Sequence, residues 1–142
     1  MLKVELREDL AAIVEVEIQL PPDLRRKRQA EGVNLESVAG RALIDTGADV
    51  TAFDLEAAAR AGLVHRGASR LMTVLGQHDR EIPLLLGEVT LIGLSTFPVP
   101  QGRGFDLSDL GLVAVIGRDI LKRTVLVYNG MEGWATLSRN SD

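Results

Sequence analysis

An apolar run that stops dead on a carboxylate constrains this chain more than any other stretch. In Ala42-Leu43-Ile44-Asp45-Thr46-Gly47-Ala48-Asp49-Val50-Thr51-Ala52, Leu43 and Ile44 read as a buried strand, and Asp45 emerges at its end. Gly47 then lets the backbone turn tightly and approach whatever Asp45 faces. A second apolar run, Val113-Ala114-Val115-Ile116, breaks at Gly117 in the same way and continues into Arg118-Asp119-Ile120-Leu121. The bland reading of Asp45 is an Asp bonding its own backbone in a turn. The preceding strand and the matching later element favour a carboxylate placed to act.

The rest of the chain reads as a mostly β domain. Residues 12–20 alternate apolar and polar with period two, as a half-buried strand does, and Pro21-Pro22 ends it. From Asp23 to Asn34 the chain is polar and basic without a trusted period, so we expect a solvated loop, about residues 21–34, carrying Arg25-Arg26-Lys27-Arg28. Ser37 to Ile44 restarts the sheet and delivers Asp45. Thr51 is the expected cap of a short helix over 55–61, with Leu55, Ala59 and Leu63 facing the sheet and Gly62 ending it. Residues 71–92 hold two strand-like arms around a polar centre near Gly76-Gln77-His78-Asp79, the pattern of a projecting hairpin, with Pro83 marking an edge or an irregularity. Ser95 to Leu110, with Pro98, Pro100, Gly102 and Gly104, reads as a loop. Thr124–Tyr128 and Trp134–Leu137 form a last hairpin.

Composition narrows the classes. With 142 residues, 46% of them hydrophobic, the chain can bury a core as one domain, with the core over about 12–137. It has no cysteine, which removes disulfides and thiolate metal sites and fits a reducing, cytoplasmic setting. Charges interrupt residues 1–9 throughout, against a leader or membrane anchor. The net charge of −4 supplies no general attraction to nucleic acid. His65 and His78 lack ligand or nucleophile partners at a convincing spacing, so neither a metal nor a cofactor is expected. Tyr128 and Trp134 read as packing residues, and Gly102-Arg103-Gly104 is not a phosphate loop, since no Lys-Ser/Thr and helix start follow it.

Asp45-Thr46-Gly47-Ala48, the hairpin and the Val115-Ile116-Gly117-Arg118-Asp119 element together resemble the retropepsin-like aspartic proteases. They occur in that family's order and cover roughly residues 35–137. The resemblance implies a closed β-fold with one or two short helices. It implies Asp45 as the catalytic residue, Thr46 bonded across a dimer interface, and Gly47 meeting substrate through its backbone. Ala48 would leave room for an extended peptide, and Asp49 would lie against substrate backbone. Arg118, after Gly117, would pair with Asp49 and brace the loop from behind. Leu75, Gly76, Gln77 and His78 would form a flap over a polypeptide substrate, and Val50 and Ile82 would line apolar subsites.

The chemistry follows from pairing. Two carboxylates about 3 Å apart cannot both ionise, so one activates a water while the other stays protonated. This chain has one such Asp. Neither Asp106-Leu107-Ser108 nor Asp109-Leu110-Gly111 follows an apolar strand into a small-residue turn, so the pair requires a homodimer. The expected function is a homodimeric aspartic endopeptidase. The alternatives are a peptide-binding module and an assembly domain on the same fold, because a fold does not fix an activity.

Overall fold

The computed structural model describes the backbone of residues 1–73 and 76–139, and side chains outside 71–80. In chain order the strands are β1 (Leu2–Glu5), β2 (Ile13–Gln19), β3 (Val38–Ile44), β4 (Ala52–Asp54), β5 (Val64–Thr73), β6 (Gly76–Leu91), β7 (Ser95–Phe105), β8 (Ala114–Ile116), β9 (Val125–Asn129) and β10 (Trp134–Ser138). Among the described residues three α-helices, α1 (Pro22–Ala30), α2 (Leu55–Ala61) and α3 (Arg118–Leu121), and one 3-10 turn, Ser108–Leu110, interrupt them.

The alternation in β2 sends Val14, Val16 and Ile18 into the core, where each is at most 1% exposed. β2 runs antiparallel to β3, with Val16 opposite Gly40. β3 lies parallel to β8, β8 antiparallel to β4, and β4 parallel to β7. β7 returns antiparallel to β6, whose last residues, Glu88 to Leu91, pair with β2. That pairing closes six strands into a barrel, and β5 extends along the first part of β6. Phe53, Phe97, Val89, Leu91 and Ile116 fill the interior, each contributing roughly 1.5–3 kcal/mol by leaving water. A separate sheet, β1-β10-β9, packs against the barrel. Its inner residues Leu2, Val4, Leu126 and Leu137 join the core.

Several expectations from the sequence are corrected. Residues 22–30 form a helix rather than a loop. α1 buries no residue, so it shows no apolar period; its signals are Pro22 at the first helical position, Asp23 in the first turn and Lys27 and Arg28 in the last. Ion pairs Arg26–Asp23 and Arg28–Glu31 span successive turns. Residues 95–105 form a full strand. Pro98 and Pro100 precede Arg103, where β4 begins to pair, so they sit where β7 has one open edge and the missing N–H costs little.

The cap of α2 is Asp54 and not Thr51: its carboxylate accepts the Ala57 N–H at 3.0 Å. The buried face of α2 is Ala57, Ala58 and Ala61; Leu55 and Ala59 are exposed, while Leu63 does pack on the core. Gly62 ends the helix as expected, at φ +75°, a left-handed conformation that glycine adopts freely. In the projecting hairpin Thr73 pairs with Gly76, so Gly76 to Asp79 lie on the second arm. Val74 and Leu75 lie outside the described residues. Pro83 pairs with Ala68 beside a register shift, one residue before β7 joins β6 at Leu84.

Candidate active site

β3 ends one residue before Asp45, and the parallel ladder with β8 continues through it. Ile44 is level with Ile116, and the Asp45 N–H donates to the Ile116 carbonyl at 2.9 Å. The chain then turns back on itself. Asp45 Oδ1 accepts the Gly47 N–H at 2.9 Å, and the Ala48 N–H donates to the Asp45 carbonyl at 3.2 Å. This is the local turn anticipated for an Asp before small residues. It uses only one carboxylate oxygen. Oδ2 accepts no bond among the described residues, and Asp45 is half-buried with Thr46 and Gly47 exposed beside it.

The loop is held from behind by the Gly117 element. A Cβ on Gly117 would lie 2.7 Å from the Val50 carbonyl carbon, so only glycine permits the two backbones to pass this closely. The Arg118 N–H donates to the Ala48 carbonyl at 2.8 Å, and its guanidinium donates to the Thr46 carbonyl at 2.8 Å. Arg118 therefore braces the loop through backbone carbonyls. Its expected pairing with Asp49 is corrected. Asp49 pairs instead with Arg103, in a two-pronged contact of 2.7 and 3.3 Å. The guanidinium bond, opposed in part by burial, holds the Asp49 carboxyl below the usual carboxylate range. Arg103 is placed by the parallel pairing of β4 with β7, and its N–H donates to the Thr51 carbonyl at 3.0 Å.

Thr51 is fully buried beneath the loop. Its hydroxyl donates to Asp119 Oδ1 and accepts the Gly117 N–H, and its own N–H donates to the same carboxylate oxygen. Asp119 also accepts the Ile120 N–H at 3.0 Å. Sequence reasoning missed Thr51 and Arg103 in these roles. A Thr inside an apolar stretch was the available signal, because a buried hydroxyl needs partners. Arg103 left no comparable signal, since its closeness to Asp49 depends on strand register.

Of the expected subsite residues, Val50 is half-buried and lines an open depression of about 290 Å³ with Leu84, Pro100 and Arg103. Ile82 is corrected: it is 1% exposed and packed in the interior, where it lines no open surface. Gly76, Gln77 and His78 lie on the β6 arm, and Leu75 lies outside the described residues. His65 is exposed, and no cluster of three metal-ligating side chains occurs among the described residues. No described helix is long and apolar enough to cross a membrane.

The site thus offers a carboxylate on a braced loop at a strand end, with one oxygen held by the turn and the other open to a water or a second carboxyl. No family model matches the sequence, and no curated protein matches it. Among solved structures, a retropepsin-like aspartic protease from Rickettsia conorii superposes with a TM-score of 0.58 over 96% of this chain and 88% of that chain, at 16% identity. A mostly β barrel with few short helices and that superposition give the chain a retropepsin-like fold.

Proposed function

We propose that the chain is one half of a homodimeric aspartic endopeptidase, with Asp45 and its copy as the catalytic pair. The observation that carries this reading is the Asp45 loop itself. A carboxylate stands at the end of a barrel strand with Oδ2 unbonded among the described residues, on a backbone fixed by Gly117, Arg118 and the Thr51–Asp119 contact. A lone turn Asp needs no such bracing.

In this reading a two-fold axis sets Asp45 beside its copy. One carboxyl takes a proton from the attacking water, and the other donates its proton to the carbonyl oxygen as the tetrahedral intermediate forms. The two titrations belong to the pair. Thr46 bonds across the interface, Gly47 and Asp49 meet the backbone of an extended polypeptide, and Ala48 leaves space for it. The β5–β6 hairpin covers the substrate, and Val50 favours apolar side chains beside the scissile bond. The activity is greatest at acidic to mildly acidic pH and needs no cofactor. The cysteine-free composition suits a cytoplasmic setting.

The test is cleavage of a diverse peptide mixture between about pH 4 and 7, read by mass spectrometry, for wild type and Asp45→Asn. Cleavage by wild type that disappears in the variant is the expected result. Cleavage that survives Asp45→Asn, or a folded wild-type dimer that cleaves nothing, overturns the reading.

A further inference from the structure

β6 carries two strands on one edge. β7 holds its other edge along Leu84 to Leu91, so β5, which pairs with β6 up to Leu86, and β2, which pairs with it from Glu88, share the opposite one. β2 ends there at Gln19, opposite Glu88, and β5 starts at Val64, opposite Leu86. α1 leaves the sheet at this junction, and between it and the start of β5 lies a groove of about 390 Å³. Leu20, Leu24 and Val64 floor the groove, and Lys27 and Arg28 rim it, on the face of α1 that the i, i+3, i+4 spacing of Leu24, Lys27 and Arg28 defines. From the groove β5 runs on to Thr73 with no described strand on its other edge.

α1 buries no residue, so core packing does not account for it, and it sets four cations against Asp23 in a chain of net charge −4. Arg25 is anchored on the Leu20 carbonyl at 3.0 Å, Arg26 pairs with Asp23, and Arg28 pairs with Glu31. Lys27, on the groove, makes no ion pair among the described residues. We propose that this groove docks an acidic, extended polypeptide segment, which places carboxylates on the cations of α1 and continues as an added strand along the open edge of β5. The edge selects a polypeptide, because it presents backbone N–H and C=O groups that no described strand takes up and that another backbone matches along its length. The apolar floor takes a side chain of such a segment, and among the described residues no aromatic side chain lines the groove on which a nucleic-acid base could stack. Arg66, Arg70 and the register shift between His65 and Ala68 keep neutral and basic strands off this edge, and the same charges attract an acidic one. The docking deepens the endopeptidase reading and rests on it for one point, that the segment belongs to the substrate. β5 has 10 residues and at about 3.3 Å each spans about 30 Å, from the groove to the far end of the hairpin that covers the substrate in that reading. The acidic segment therefore stands about ten residues or more from the scissile bond.

Fluorescence anisotropy of the full chain at neutral pH tests this. The probe is a labelled peptide of about eight residues, an ordinary strand length, alternating glutamate and valine. Unlabelled competitors are a lysine–valine peptide, single-stranded oligothymidylate and phosphatidylserine vesicles. The glutamate peptide binds, and none of the three displaces it. Lys27→Glu raises its Kd about tenfold, and Lys27→Gln, which keeps helix propensity, shifts it the same way by a smaller factor. Two further probes are N-methylated on alternate amides, at the odd or the even positions. Successive backbone groups of a strand turn to opposite edges, so one isomer keeps its Kd and the other loses at least about tenfold. Displacement by the oligonucleotide or the vesicles, a Kd indifferent to both Lys27 variants, or equal Kd values for the two methylated isomers overturns the docking. A cleaved peptide extended by the glutamate–valine segment about ten residues from its scissile bond then has a lower KM at unchanged kcat, and Lys27→Glu cancels the gain; an unchanged KM overturns the segment's place in the substrate. Asp45-dependent cleavage in a chain that does not bind the probe removes the docking and leaves the endopeptidase reading standing. Lys27-dependent binding in a chain that cleaves nothing leaves the docking standing and removes that reading.

Discussion

The Thr51 hydroxyl donates to Asp119 Oδ1 at 2.8 Å across 68 residues of sequence, and the hydroxyl oxygen itself accepts the Gly117 N–H at 3.1 Å. One side chain thus joins the strand after the Asp45 loop to the helix after β8. Thr51→Val keeps the shape and removes both bonds, leaving a buried N–H and a carboxylate short of a donor. We expect a loss of about 2–3 kcal/mol in urea unfolding. Thr51→Ser keeps the hydroxyl and should cost less than about 1.5 kcal/mol, mainly for the lost methyl. Equal losses for the two variants would refute the bond as the cause.

Gly117→Ala tests the close approach behind the site. The added methyl meets the Val50 backbone at 2.7 Å, and backbone cannot swing aside as a side chain can. A destabilisation of about 1–3 kcal/mol follows from overpacking of this kind. On the proposed function, peptide cleavage falls further than stability does, because the displaced segment carries Asp45.

Arg118 separates bracing from stability in a different way. Among the described residues its guanidinium is anchored on the Thr46 carbonyl alone, in an exposed setting, so Arg118→Met should change unfolding free energy by no more than about 1 kcal/mol. The proposed activity should drop by about tenfold or more, since small misplacement of a reacting group is costly. A variant with unchanged kcat/KM would show that the contact is incidental.

Asp49 gives a pH signature. Its folded-state pKa lies below the ordinary value of 3.8 because Arg103 bonds and attracts the charged form. A depressed carboxyl contributes stability that is fully present above the unfolded value and is lost as pH falls through the folded one. The Tm difference between wild type and Asp49→Asn should therefore be level from neutral pH down to about 4 and close below it. The pair is more than half exposed on the Asp side, so the difference is small and shrinks with salt. A difference that closes between pH 5 and 7 would contradict this assignment.

Asp54 carries two buried duties. Its carboxylate caps α2 through the Ala57 N–H at 3.0 Å and accepts the Leu107 N–H at 2.9 Å from the segment after β7. Asp54→Ala should cost about 2–3 kcal/mol, more than a cap alone, because a second buried donor is left unpaired. Asp54→Asn, which retains a carbonyl oxygen, should recover part of that loss in the same thermal or urea measurement.

What could be read from the sequence was whatever left a local pattern. The strand into Asp45, the break at Gly117, the stop at Gly62 and the final hairpin all carry their periodicity or their turn residue within a few positions. α1 did not, because a helix with no buried face has no apolar period, and its end charges look like those of a loop. β7 was hidden by two prolines that are tolerated only because one edge is open there, a fact of topology. The partner of Asp49 was hidden for the same reason. Arg118 is near Asp49 in pattern, yet Arg103 is brought to it by the β4–β7 register, with Ala52 level with Arg103. Ile82 looked like an accessible apolar residue and is 1% exposed, since apolar character alone does not say which face of a strand its neighbours cover.

The parallel pairing of β3 with β8 has a consequence for how the protein is made. Asp45 leaves the ribosome long before Ile116, Gly117, Arg118 and Asp119, the residues that supply its ladder bond and fix its loop. A nascent chain that has reached β7 holds the carboxylate on an unbraced segment. Contacts this distant in sequence form late and slowly. The bracing of the Asp45 loop is therefore completed only after β8 and α3 have been made, and a chain cut short before Gly117 has the signature residues without the architecture that positions them.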